Sequence, residues 1–418
     1  MELKPPAFNH TLQSGTSGIL LDWPSRNCYI AGISARNLNN MTDSSDSVSR
    51  NRMALQTTSR DTGAWKAPEI MATLGPTLEK LEDLRKAIGA GARWVRVPCG
   101  YRQRPHVENV RAARAAAAEA GVNLQVLLDL PSSRPRTGTM PDLNLAIGDK
   151  VVFWDPTADQ DTPHKNGSSP VPLPGLHSLL DRLSPSKRIW FCDGRLSFVI
   201  DAVKNGQVAA HLQEGVIPLK SSNSIFLPDS PAGYAPVTEA DRDLLRQFAC
   251  AGVTPDWVAL SLIATSEDVR VGRSEAKTIL GPEVRIMAKF ETAAAVACAQ
   301  QIIAEADGVM VARGDLGMAV GYARLPQAQE MLVQAARDAG KPVVVATQIL
   351  ESFAASGVPQ RAELSDLSII ARQRADAIML GKETVFSPRP IECIRLAREV
   401  LEHETKRFAE AYGAQRAV

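Results

Sequence analysis

GVMVARGD, residues 308–315, sets the pattern for most of this chain: five apolar or small residues end abruptly in a cation, a glycine and a carboxylate. An apolar run this short, with no polar face, suits a strand buried on both sides. The residues around it repeat the arrangement. Similar runs occur at Ile70 to Leu74, Trp94 to Val97, Leu124 to Leu128, Trp257 to Leu262, Val284 to Ala288, Val343 to Ala346 and Ala377 to Leu380. Helical patterns lie between them, including Ala293 to Glu305, Pro326 to Ala339 and Pro390 to Glu404. Thr238 followed by Asp241 reads as a capping-box start for another. Eight buried strands, each followed by a helix, predict a (β/α)₈ TIM barrel.

One interval breaks the rhythm. The third run ends at Leu128 and the fourth begins at Trp257, a wider gap than any other between runs. The intervening sequence turns Pro-rich and β-patterned. Within it, Val199 to Val203 and Val208 to His211 flank Asn205-Gly206, a strong hairpin signal. The expectation is a small β domain, residues 134–236, inserted after barrel strand 3, with the barrel at 65–133 and 237–410. Residues 1–64 are Ser-, Asn-, Thr- and Asp-rich from Ser34 to Asp61 and read as a disordered extension, with Met53 as a second candidate start.

Bulk properties exclude several classes of partner. Lys plus Arg is 47 and Asp plus Glu is 46, a net charge of +1, so no overall field calls for nucleic acid or an anionic membrane. No apolar run approaches a membrane span. Six dispersed cysteines (Cys28, Cys99, Cys192, Cys250, Cys298, Cys393) lack CxxC spacing and read as free thiols of a cytoplasmic chain.

A barrel of this kind gathers its chemistry at the carboxyl ends of its strands. There the sequence offers Thr73, Arg96, Asp129, Ser261, Lys289 with Glu291, Arg313-Gly314-Asp315, Thr347 with Gln348, and Lys382 with Glu383. Glu291 and Asp315 are hard oxygen donors suited to Mg²⁺ or Mn²⁺. Lys289 beside them suits a developing enolate or phosphoryl oxygen. Amides opened by Gly314 suit a carboxylate, and Thr347 offers a hydroxyl for a proton relay. The bland alternative for any one carboxylate–lysine pair is a structural ion pair.

The residues resemble the pyruvate kinase family. VMVARGDLGMAV (309–320), GKPVVVATQILES (340–352), RAELSD (361–366) and ADAIMLGKET (375–384) look like its signature segments in order and spacing. MAKFE (287–291) resembles its catalytic strand end. MATLGPT (71–77), VLLDL with RPRTG (126–138) and FCDGRLSF (191–198) resemble its first strand, third strand and inserted domain. The resemblance covers about residues 68–405 and stops short of the family's C-terminal regulatory domain. It implies phosphoryl transfer between phosphoenolpyruvate and ADP. Lys289 and Thr347 match catalytic positions, and Arg96 the arginine near the phosphoryl group. Glu291 and Asp315 match the divalent-metal ligands, Gly314 and Asp315 the carboxylate cradle, and Arg136 a nucleotide- and phosphate-contacting arginine.

Departures cluster on the nucleotide and potassium side. The family's NFSHG reads VPCGY, so Pro98 and Gly100 stand where its potassium ligands are expected and Tyr101 replaces its histidine. DTKGPEIRTG reads DLPSSRPRTG: Asp129 and Arg136 match, but the lysine is Pro131 and the glutamate is Arg134. A nucleotide-contacting lysine appears as Asn223. Potassium-independent members often carry a lysine at the glutamate position, and Arg134, expected beside Asp129, would serve similarly. Three readings stay open here: a potassium-independent kinase, a metal-dependent enolate reaction on a 2-oxo acid without nucleotide, and a non-catalytic relative. A homodimer through barrel helices is a further expectation.

Overall fold

A computed structural model describes residues 65–100, 105–158, 167–192, 194–215, 217–227 and 234–416. The readings of residues 1–64, including Met53 and Cys28, and of Tyr101 lie outside the described residues.

Strands β1 (Glu69–Thr73), β2 (Ala92–Pro98) and β3 (Gln125–Leu130) open the barrel. The second sheet follows, with β4 (Lys150–Trp154), β5 (Ser168–Pro172), β6 (Arg188–Phe191), β7 (Leu196–Lys204), β8 (Gln207–Glu214) and β9 (Ile225–Phe226). The barrel resumes at β10 (Trp257–Leu260), β11 (Arg285–Phe290), β12 (Gly308–Ala312), β13 (Val343–Ala346) and β14 (Ala377–Leu380). These eight strands close in the order β1-β14-β13-β12-β11-β10-β3-β2, all parallel.

Helices cover the outside: α1 (Leu81–Ala90), α2 (His106–Glu119), α3 (Glu239–Cys250), α4 (Ser266–Leu280), α5 (Ala293–Ala297) and α6 (Ala299–Glu305), then α7 (Arg313–Val320), α8 (Leu325–Asp338), α9 (Glu351–Ser356), α10 (Arg361–Gln373), α11 (Lys382–Val385) and α12 (Pro390–Arg416). The Thr238–Asp241 capping box forms at the start of α3 as expected. The expected helix over Ala293 to Glu305 is instead two, broken at Cys298, where φ is −104° and ψ 22°. None of the described helices is long and apolar enough to cross a membrane.

Two-residue periodicity separates two cores. Ile70, Ala72, Val95, Val126, Leu128, Ile286, Ala288, Val309 and Val311 face the helices. Met71, Trp94, Leu127, Trp257, Ala259, Met287, Met310, Val344, Ala346 and Met379 fill the barrel interior. Continuing that inward register along each strand reaches Thr73, Arg96, Asp129, Ser261 and Lys289. The polar rim is therefore the next layer above an apolar plug, and the same alternation that builds the core aims these side chains at one another.

The second sheet has order β5-β4-β8-β7-β6-β9 and its own apolar core around Phe153, Phe191 and Phe198. Its expected hairpin is β7–β8, joined through Asn205 at φ 49° and Gly206 at φ 74°, the left-handed pair of a type I′ turn. The chain leaves and re-enters the barrel at a narrow neck. Ser132 Oγ donates to the Ala235 carbonyl at 2.8 Å, and the Ala235 amide donates to Ser133 Oγ at 3.2 Å.

Candidate active site

Lys289 is the penultimate residue of β11, with its ammonium buried and all three donor positions used. Nζ donates to Ser261 Oγ at 2.7 Å and Asp129 Oδ1 at 2.9 Å, and lies 3.0 Å from Glu291 Oε1. Burial works against its charge, but Asp129 and Glu291 outweigh it and hold the ammonium above the ordinary lysine value. Asp129 also receives Arg96 Nε at 2.7 Å. Burial opposes its ionisation too, yet Lys289 and Arg96 bring its pKa down to about 2. Glu291 behaves differently. Its Oε2 accepts the Leu262 amide at 2.7 Å, but burial pushes its carboxyl upward, Asp315 adds to this, and Lys289 only partly offsets it. Of the two carboxylates sharing Lys289, Glu291 is the one short of positive charge.

Asp315 lies in the first turn of α7 and faces the same cleft. Its partner is Arg134, whose Nη1 and Nη2 donate to Oδ1 and Oδ2 at 3.0 and 2.9 Å. This corrects the sequence expectation, which set Arg134 beside Asp129. Arg96 and Lys289 already saturate Asp129, while Asp315 has no other cation within bonding reach among the described residues. As a donor set, Glu291 and Asp315 are hard oxygens of the kind Mg²⁺ or Mn²⁺ takes. They fit such an ion once the guanidinium leaves Asp315. Among the described residues no three His, Cys, Asp or Glu side chains form a ready-made cage.

Thr347 follows β13, and its hydroxyl accepts the Gly314 amide at 2.8 Å. Thr347 and Gln348 have φ of 71° and 54°, both left-handed, a strained backbone at a strand end. Arg313 secures it: its guanidinium donates to the Thr347 carbonyl at 2.6 Å and the Gln348 carbonyl at 3.1 Å, and pairs with Asp366 at 2.6 Å. Sequence reading noticed Arg313 only as part of a motif and missed this clamp. A buried cation next to a glycine at a strand end was the available signal. Lys382 and Glu383 line the same cleft, and Glu383 also supports its neighbours. Glu383 accepts the amides of Ile349 and Leu350 at 3.0 Å and Gly381 at 2.7 Å, while Lys382 pairs with Glu351 at 3.4 Å.

All nine residues singled out from the sequence for catalysis, substrate, metal or monovalent cation (Lys289, Thr347, Arg96, Gly314, Asp315, Arg136, Glu291, Asp129, Arg134) and the departures Pro98 and Gly100 converge on one cleft of about 430 Å³. The second sheet adds Cys192, Arg195 and the Ser222–Ser224 segment to its wall. Arg136 donates to the Ser222 carbonyl at 3.0 Å. Asn223, at the position of a nucleotide-contacting lysine, accepts the Lys220 amide at 2.8 Å and so serves its own turn.

The pyruvate kinase barrel-domain family matches residues 65–394. A pyruvate kinase of Methylorubrum extorquens is 33% identical over 339 residues, covering 80% of this chain and 68% of that protein. One from Agrobacterium vitis is 31% identical over 347 residues, covering 81% and 68%. One from Thermococcus litoralis is 29% identical over 353 residues, covering 83% and 71%. A closed parallel barrel carrying an inserted sheet, a rim built at the expected strand ends and matches of this extent agree with one another: the chain belongs to the pyruvate kinase family and is a pyruvate-kinase-like phosphotransferase.

Proposed function

We propose that the chain moves the phosphoryl group of phosphoenolpyruvate to ADP, without potassium. The bond between phosphorus and the C2 oxygen breaks, a bond to a terminal β-phosphate oxygen of ADP forms, and the enolate left behind takes a proton at its methylene carbon. Such transfers depend chiefly on positioning and charge neutralisation. Lys289 neutralises charge on the bridging and enolate oxygens. Arg96 and Arg136 hold the phosphoryl oxygens. The Asp315 amide, with Gly314 leaving it open, binds the substrate carboxylate at the start of α7, and the Thr347 hydroxyl, which accepts the Gly314 amide, lies on the proton's route. Glu291 and Asp315 would hold the Mg²⁺ or Mn²⁺ ion, which when bound supplies Lewis-acid polarisation of the phosphoryl and enolate oxygens. Pro98 and Gly100 offer no side-chain oxygen to potassium. The free thiols among the described residues suit a reducing compartment such as the cytoplasm.

The observation that carries this reading is the convergence of Lys289, Arg96, Arg134 and Arg136 with two hard carboxylates on one small cleft. A coupled assay with phosphoenolpyruvate, ADP and Mg²⁺, free of potassium, tests it. Pyruvate formation above a Lys289→Met control is expected, and its absence would defeat the reading.

A second reading, enolate chemistry on a 2-oxo acid without nucleotide, draws support from the Asn223 side chain being spent within its own turn. It predicts metal-dependent exchange of solvent deuterium into the methyl group of pyruvate, indifferent to nucleotide and lost on Glu291→Gln.

A further inference from the structure

Arg134 is the cation on Asp315, and its geometry engages both oxygens of that carboxylate. Two parallel hydrogen bonds of 3.0 and 2.9 Å occupy both oxygens in the fork arrangement that suits guanidinium to carboxylate. The side chains are 13% and 17% exposed, so solvent and salt screen the pair weakly. A guanidinium cannot leave by losing its proton, because it stays charged at any working pH. The neighbouring carboxylate offers no easier berth, since Glu291 already receives Lys289 on one oxygen and the Leu262 amide on the other. A divalent ion approaching Asp315 would therefore meet a fixed positive charge on the very atoms it needs.

We propose that Arg134 and a divalent cation compete for Asp315, so that the guanidinium is a resident occupant of the metal position and sets how tightly the free protein binds the ion. The proposal rests on the reading of Glu291 and Asp315 as the ion's ligands and adds what holds the ion off. The cleft also suggests how the competition is relieved. Arg134 faces the same space as Arg136 and Lys289, where a phosphoryl group would offer it three anionic oxygens in exchange for the two it gives up. Substrate and metal binding are then coupled through one side chain.

The test is Mn²⁺ binding to the full chain without substrate, by electron paramagnetic resonance and calorimetry, for the wild type, Arg134→Gln, Arg134→Lys and the double variant Arg134→Gln/Asp315→Asn. Arg134→Gln should bind Mn²⁺ about tenfold tighter or more, within the usual span of coupled sites. Arg134→Lys should fall between, because an ammonium cannot hold both oxygens. Removing the Asp315 carboxylate should abolish the gain. Circular dichroism checks folding, and Arg134→Lys carries the comparison if the glutamine variant does not fold. Equal or weaker binding by the Arg134 variants, with the wild type still binding, overturns the competition while leaving the ligand assignment intact. Tighter binding that survives Asp315→Asn overturns it by putting the ion elsewhere. Absence of Mn²⁺ binding in every variant removes the ligand assignment and the competition together.

Discussion

Nζ of Lys289 lies 2.9 Å from Oδ1 of Asp129, although the two residues are 160 positions apart in the chain. Barrel closure makes the contact: β3 and β11 flank β10, and the inward register of all three brings Asp129, Ser261 and Lys289 together. Asp129→Asn leaves the buried Lys289 and the partly buried Arg96 with one fewer counter-charge, and should cost about 3–5 kcal/mol in urea unfolding. The acid limb should change as well. The Asp129 carboxyl is held at about 2 in the folded chain, below the ordinary value of 3.8. Its contribution is thus complete above pH near the ordinary value and is lost as pH falls toward 2. Over that window the wild type should lose stability more steeply than Asp129→Asn.

Arg313→Met should destabilise by about 3 kcal/mol, because the buried Ala346 carbonyl, the partly buried Thr347 and Gln348 carbonyls and Asp366 lose a donor at once. Arg313→Lys should recover only part, since one ammonium cannot reach the Thr347 and Gln348 carbonyls and Asp366 together. Equilibrium urea denaturation of both variants measures this, and equal stability of wild type and Arg313→Met would show that the left-handed Thr347-Gln348 pair holds itself.

Thr347→Val keeps the shape of the side chain and removes its hydroxyl, leaving the Gly314 amide without its 2.8 Å partner. Under the proposed proton route, kcat should drop about 100-fold while Thr347→Ser stays near wild type. Steady-state pyruvate formation reads the difference.

In the second sheet, Gly206→Ala forces a Cβ onto a residue at φ 74°. It should cost about 1–2 kcal/mol, whereas Asn205→Gly should stay within about 0.5 kcal/mol of wild type, since glycine accepts the same φ freely. Chemical denaturation of the two variants separates them.

Legibility followed the physics of each signal. Runs such as Gly308 to Ala312, Val343 to Ala346 and Ala377 to Leu380 match the strands residue for residue, because burial on both faces leaves no room for polar interruptions. At β11 the apolar reading stops at Ala288 while the strand runs on to Phe290, since Lys289 pairs in the ladder and aims its charge into the rim. The break at Cys298 falls in an alanine-rich stretch without glycine or proline, so nothing in local composition announces it. Which residues gather at the rim was readable from strand ends. Who bonds to whom was not: Arg134 and Asp315 are 181 positions apart, and sequence spacing carries no information on which of several carboxylates a rim arginine meets.

The neck closed by Ser132, Ser133 and Ala235 has a consequence for how the chain is built up. Because those bonds bring together residues 103 positions apart, β3 and β10 can pair without the intervening polypeptide contributing to their register. Excising that polypeptide and bridging the stub with a short turn should spare the barrel about 2–3 kcal/mol of loop-closure entropy and leave its strand order intact. What would vanish with it is one wall of the cleft, so fold and ligand capture are separable by surgery at a single point.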